Sequence, residues 1–275
     1  MLSSKNFYNV IGVMSGTSLD GIDLCYSEFT LNESFWSFSI KICETILYNE
    51  YWAEKLSQAN NFHDTILFDL DKEYTSFLAS VIKDFIKKNK ITNIDFISSH
   101  GHTVYHQPEE NYTFQLGNRI ELRELIKKPI VCDFRVQDVA LGGQGAPLVP
   151  IGDLLLFKDF SHCINLGGFC NISIKNDSEI TAYDICPVNV VLNYFSKEIG
   201  LSFDKDGNHA KLGSVNKELL KELNEIEYYE EEPPKSLGIE WVKENIFPII
   251  EKYKITNEDI LCTYTCLLYT SPSPR

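Results

Sequence analysis

The run Gly12-Val13-Met14-Ser15-Gly16-Thr17-Ser18-Leu19-Asp20-Gly21-Ile22-Asp23 constrains the fold of this chain more than any other segment. It joins the apolar stretch NFYNVIGVMS to LCYSEFTL. Two β-prone runs around a turn of Gly, Ser, Thr and Asp make a hairpin. SFWSFSIKICETILY, rich in β-branched and aromatic residues, supplies a third antiparallel strand. The turn carries more than a hairpin needs. Glycines let the backbone come close, hydroxyls and amides donate to oxygen anions, and an Asp can hold a divalent cation directly or through water. The segment is neither a Walker A loop, since no GK[ST] follows, nor a GxGxxG fingerprint, since a strand follows where a helix is required. An ordinary turn is the plainer alternative; the surplus of ligand-type residues favours a phosphate site.

Downstream, apolar residues from Asp64 to Lys90 recur at three- and four-residue steps, which predicts a long amphipathic helix. The strand ITNIDFISSHG, the strand TFQLG, the helix NRIELRELIKK and the strand PIVCDF follow, and this alternation argues for a sheet flanked by helices. The first domain is expected to close near residue 135. HCINLGGFCNISI then reads as a second hairpin turning at Gly167-Gly168, followed by strand EITAYDI and helix VNVVLNYFSKEIG. NEIEYYEEEPPKS reads as a solvated acidic loop, and helices are expected around Gly238–Lys254 and from Asn257 onward.

A chain of 275 residues with 44% hydrophobic and 12% aromatic residues has material for two cored domains. Its formal charge of −14 argues against nucleic acid and anionic membranes as partners. The start lacks the continuous apolar core of a signal peptide, and no stretch is apolar enough to span a membrane. The eight cysteines are scattered without a CxxC pair, so reduced thiols and a cytoplasmic location are expected.

Three further segments could carry chemistry. Ser99–Pro108 holds three of the six histidines; metal binding, a substrate-side loop and hydrogen-bonded histidines without a catalytic role all fit, and the small polar spacers favour ligand contact. Asp133–Pro147 begins at a strand's C-terminal end, where open α/β sheets bind ligands, and sets Gly142, Gly143 and Gly145 beside Arg135 and Asp138. An interdomain hinge is the plainer reading there. In Tyr183–Asn189, Asp184 precedes Pro187 and a helix start, a place suited to a general base, although an isolated Asp is more often a helix cap.

Together Gly12–Asp23, Ser99–Pro108, Phe114–Asn118, Val131–Pro150, Asn165–Ser173 and Tyr183–Asn189 resemble, in order, the anhydro-N-acetylmuramic acid kinase family of the actin, hexokinase and Hsp70 superfamily. The resemblance implies an α/β fold of two ATP-clamping domains, each a mixed sheet flanked by helices. It implies an enzyme of peptidoglycan recycling that uses ATP, Mg²⁺ and water to open 1,6-anhydro-N-acetylmuramic acid and phosphorylate O6, giving N-acetylmuramic acid 6-phosphate. Carried over by position, Gly16, Thr17, Ser18, Leu19, Asp20, Gly21, Ile22 and Asp23 line the ATP phosphates, with Asp20 and Asp23 toward Mg²⁺. Asn165, Gly167 and Gly168 form the second phosphate-side hairpin. Asp184 is the base that activates water. His102, Arg135, Asp138, Gly143, Gln144, Gly145, Pro187 and Asn189 face the sugar. Family members are often dimers, so a homodimer is among the expected partners. Beside Asp184 many members have Thr-Gly-Pro-Gly where this chain has Ile185-Cys186-Pro187-Val188.

Family chains continue past this one, so the second domain is expected to be incomplete, spanning 136–265 after a first domain of 1–135. A fragment of that kind is expected to bind ligand poorly or not to turn over. The last ten residues, Cys266–Arg275, show no helical pattern, and one back-translation matches a transposase sequencing adapter, so a non-native tail is expected there. Another sugar or acyl kinase of the same fold, or an ATP-responsive module without catalysis, are the alternative functions; the sugar-side residues weigh against the second.

Overall fold

The structure is a computed structural model describing residues 5–16, 19, 21–33, 35–176, 180–233 and 235–270. The chain divides into two compact units, residues 1–156 and 157–275, a division about twenty residues later than the sequence reading set it.

In the first unit β1 (Phe7–Ser15), β2 (Gly21–Asn32) and β3 (Phe35–Leu47) form the expected antiparallel meander. Helix α1 (Glu50–Ser57), which the sequence reading did not anticipate, is capped by Asn49, whose side chain accepts from the Trp52 amide. Helix α2 (Asp64–Lys88) carries the chain across to β4 (Phe96–Gln107), which pairs in parallel with β1. β5 (Tyr112–Leu116) is antiparallel to β4, and the two-residue β6 (Ile130–Val131) adds to β4 in parallel. The strand order is β3-β2-β1-β4-β5 with β6 alongside β4. Helices α3 (Ile120–Ile126), α4 (Val136–Ala140) and α5 (Val149–Leu156) complete the unit.

Alternation puts Ile11 and Val13 of β1 and Ile22 and Leu24 of β2 on one face, against Leu70, Tyr74, Leu78 and Ile82 of α2. Burying each such aliphatic side chain contributes about 1.5–3 kcal/mol, which is what holds the phosphate-type turn on a fixed base. The histidine segment is strand and not loop: β4 runs through it because Gly101, at φ +73, lets the strand kink and go on pairing with β5.

The second unit has an antiparallel sheet of β7 (His162–Leu166), β8 (Phe169–Lys175) and β9 (Ile180–Pro187) in that order. It continues through α6 (Asn189–Glu198), α7 (Lys217–Asn224), α8 (Ile239–Asn245), α9 (Phe247–Ile250) and α10 (Asn257–Thr270). Its core gathers Cys170, Val191, Leu219, Leu223, Ile246, Leu261, Tyr264 and Leu267. α10 continues past Cys266, with Leu267 buried one turn beyond Tyr264, so helical spacing extends into residues where the sequence showed no pattern. The segment read as a solvated acidic loop is anchored as well: Tyr228 and Tyr229 are buried in this core, and Lys235 lies over the Tyr228 ring at 4.7 Å.

Candidate functional site

β1 delivers Ser15 and Gly16 to the turn, and β2 resumes at Gly21. Thr17, Ser18 and Asp20 lie outside the described residues. Leu19 adopts φ +60 and its amide donates to the Gly16 carbonyl at 3.5 Å, so the turn is tight. Gly21 is required by space: a Cβ there would lie 2.4 Å from the Ile46 carbonyl oxygen. Ile22 is buried in the core and presents only backbone to the turn. Asp23 stands on the exposed face of β2, where its carboxylate accepts from Thr45 Oγ1 at 2.5 Å. No group of three or more metal-ligating side chains occurs among the described residues. An Mg²⁺ that keeps most of its waters and takes phosphate oxygens needs only one or two carboxylates, and Asp23 suits that.

Beneath the turn lies a polar network that the sequence did not reveal. Ser15 Oγ is 2.7 Å from Tyr48 Oη and receives a hydrogen bond from Tyr74 Oη at 2.8 Å, and the two tyrosine hydroxyls are 2.6 Å apart. His102 Nδ1 reaches the same Ser15 Oγ at 3.3 Å. His102 is 3% exposed, so it lies in the interior of the unit, and burial, with His100 beside it, pushes its pKa down to about 4. The imidazole is therefore neutral at pH 7.

Its neighbour His100 is tied to the expected sugar-side group. His100 Nδ1 is 2.8 Å from the Gly101 carbonyl and Nε2 accepts from Arg135 Nε at 3.1 Å, which sets the proton on Nδ1. Arg135 Nη1 donates to the Gly145 carbonyl at 2.7 Å, and the Gly145 amide donates to Asp138 Oδ2 at 2.6 Å. Gly143 follows from packing: its amide donates to the Asp138 carbonyl at 2.8 Å, and a Cβ there would stand 2.3 Å from the Asp138 carboxylate. Gln144 is exposed on the same loop. Arg135 has no carboxylate within ion-pair distance among the described residues, and burial lowers its pKa. A half-buried guanidinium held by two neutral acceptors keeps charge for an anionic ligand.

In the second unit the Gly167-Gly168 turn joins β7 to β8, with Asn165 exposed on β7. The Gly168 carbonyl accepts from the Val188 and Val190 amides at 2.8 and 3.2 Å, and that of Gly167 from Asn189 at 3.3 Å, so the turn is pinned to the start of α6. Pro187 is buried at the end of β9 and Asn189 is exposed at the first position of α6.

Asp184 lies on β9 beside a bulge: Asn171 pairs with Asp184 and Cys170 with Cys186, leaving Ile185 unpaired. Such bulges re-aim the adjacent side chain. Its Oδ2 accepts from the Leu237 amide at 2.9 Å, its own amide donates to the Lys235 carbonyl at 3.2 Å, and Tyr228 Oη donates to its carbonyl at 2.7 Å. Burial raises its pKa and the Leu237 amide opposes that rise. A half-buried, singly hydrogen-bonded carboxylate with its affinity for protons increased is equipped to act as a base. Tyr228, Lys235 and Leu237 were hidden in a segment whose charge run dominates its pattern.

The family model described as Anhydro-N-acetylmuramic acid kinase matches residues 8–271. A protein of that name from Sulfurimonas denitrificans is 35% identical over 263 residues, covering 90% of this chain and 70% of the relative. One from Pseudomonas syringae pv. tomato is 36% identical, covering 87% and 68%, and one from Francisella tularensis subsp. novicida is 33% identical, covering 96% and 74%. No helix among the described residues is long and apolar enough to cross a membrane.

Proposed function

The chain belongs to the anhydro-N-acetylmuramic acid kinase family, and on that premise we propose that it uses ATP and water to convert 1,6-anhydro-N-acetylmuramic acid to N-acetylmuramic acid 6-phosphate. The observation that carries this reading is Asp184, a half-buried carboxylate aimed by a strand bulge and held by one backbone amide. Its carboxylate takes a proton from water as the water oxygen bonds to the anomeric carbon. The C1–O6 bond breaks, and the freed O6 attacks the γ-phosphorus of ATP, from which ADP leaves. One proton is released overall, and no side-chain acid is needed for the departing O6.

Phosphoryl transfer depends mainly on positioning and charge stabilisation, and the two glycine turns are assigned to that purpose. Gly16, Leu19, Gly21 and Ile22, with Thr17, Ser18 and Asp20, are assigned to the ATP phosphates, as are Asn165, Gly167 and Gly168. Mg²⁺ bound through Asp20 and Asp23 would neutralise phosphate charge. Arg135, Asp138, Gly143, Gln144, Gly145, Pro187 and Asn189 are assigned to the sugar. Arg135 is a charge match for the lactyl carboxylate that distinguishes a muramic acid from a neutral amino sugar. His102, expected to face the sugar, is 3% exposed, and its contribution is assigned to holding Ser15 through Nδ1.

The test is the reaction in ¹⁸O-labelled water. A 6-phosphorylated product with the label at C1 is expected. ATP consumption with other sugars and none with the anhydro sugar would assign a different sugar kinase; nucleotide binding without sugar-dependent turnover would indicate a non-catalytic module.

A further inference from the structure

Cys25 of β2 and Cys43 of β3 are 18 residues apart in sequence and directly opposite in the sheet, with their sulfurs 3.0 Å apart. Directly opposed residues of antiparallel strands have Cα atoms about 4.5–5.5 Å apart, inside the roughly 4.4–6.8 Å range of disulfides. Moving the sulfurs together by about 1 Å would give a covalent bond length. Cys43 is exposed and Cys25 half-buried, so a small oxidant reaches the pair from solvent. The opposite position on β1 is Gly12, which brings no side chain over Cys25. One rung along the same face stands the Asp23–Thr45 pair, hydrogen-bonded across the same two strands.

We propose that Cys25 and Cys43 form an oxidisable dithiol that closes into a cross-strand disulfide when a peroxide reaches it. The thiolate of Cys43 attacks a peroxide oxygen, the O–O bond breaks, and a sulfenic acid and water result. The Cys25 sulfur then attacks the sulfenic sulfur, the S–S bond forms, and the hydroxyl leaves as water with the Cys25 proton. Two thiols and one hydrogen peroxide thus give one disulfide and two waters. The hydrogen bond to Cys25 and burial push the Cys43 thiol up to about 11, so only a small thiolate fraction exists near pH 7 and closure is slow there, faster as pH or peroxide concentration rises. The product locks β2 to β3 immediately beside Asp23.

The second unit provides a built-in control. Cys170 and Cys186 are also opposed across β8 and β9, and both are buried, so a peroxide does not reach them in the folded protein.

The experiment treats the full chain with hydrogen peroxide, alkylates remaining thiols and maps peptides with and without reductant. The expected result is one dominant reducible link, Cys25 to Cys43, abolished in both Cys25→Ser and Cys43→Ser, while Cys170 and Cys186 remain alkylatable. Persistence of free thiols at both positions, conversion of Cys43 to sulfinic acid without a link, or linkage of either to another cysteine would overturn the proposal. None of these outcomes depends on the kinase reading.

Discussion

The Leu237 amide donates to Asp184 Oδ2 at 2.9 Å across a sequence distance of 53 residues. The candidate base is therefore aimed by backbone from a segment outside the recognisable motifs. This bond stabilises the charged carboxylate, whereas burial disfavours it. Leu237→Pro removes the donor, so the pKa of Asp184 should rise and the acid limb of kcat/KM should move to higher pH. Leu237→Ala keeps the amide and should leave the limb in place. Identical acid limbs in the two variants would show that the amide does not tune the base.

Arg135 holds an uncompensated charge among neutral acceptors. Arg135→Met should raise KM for the anhydro sugar roughly 10- to 100-fold, the scale of one lost charged hydrogen bond, and leave KM for ATP nearly unchanged. Steady-state kinetics with each substrate varied separates the two. An unchanged sugar KM would remove Arg135 from the sugar side.

The depressed pKa of His102 makes unit 1 acid-sensitive. Between pH 6.5 and about 4 the unfolded chain binds a proton at this histidine that the folded state does not. Stability therefore falls as pH falls through that window, by up to about 3 kcal/mol. His102→Gln should flatten this dependence, measurable as urea midpoints at several pH values. A variant as acid-sensitive as the parent would contradict the assignment.

A methyl at Gly21 would meet the Ile46 carbonyl oxygen at 2.4 Å, and β2 and β3 would have to separate. Gly21→Ala should destabilise by about 1–3 kcal/mol, read as a lower Tm. Gly142 faces open space at φ +87, so Gly142→Ala should cost only about 1 kcal/mol, through backbone strain. Equal losses would mean that contact with β3 is not what requires glycine at position 21.

The periodic elements were legible in the sequence. The β1–β2–β3 meander, α2, the β7–β8 hairpin and α6 follow from alternation, three- and four-residue spacing and glycine turns. Elements defined by tertiary contact were not legible. β4 runs through the histidines because Gly101 accommodates its kink, and α10 continues past Cys266 because Leu267 finds a core. Arg135, at the start of α4, and Asp138, within it, both reach Gly145 because helix and glycine-rich loop form one short stretch, which local reading can detect. Ser15, Tyr48, Tyr74 and His102 come from four separate segments, and nothing in their local sequence joins them. The acidic run concealed Tyr228 and Leu237, since charge patterning describes the solvated side chains and not the backbone behind them.

Turnover depends on Asp184 as the base. Asp184→Asn preserves shape and the acceptor for the Leu237 amide but cannot take a proton. Assayed for anhydro-sugar-dependent ADP formation, it should lose nearly all turnover while ATP affinity, measured by calorimetry, stays within about a factor of two of the parent. Turnover at the parent's rate would mean that a group other than Asp184 activates the water.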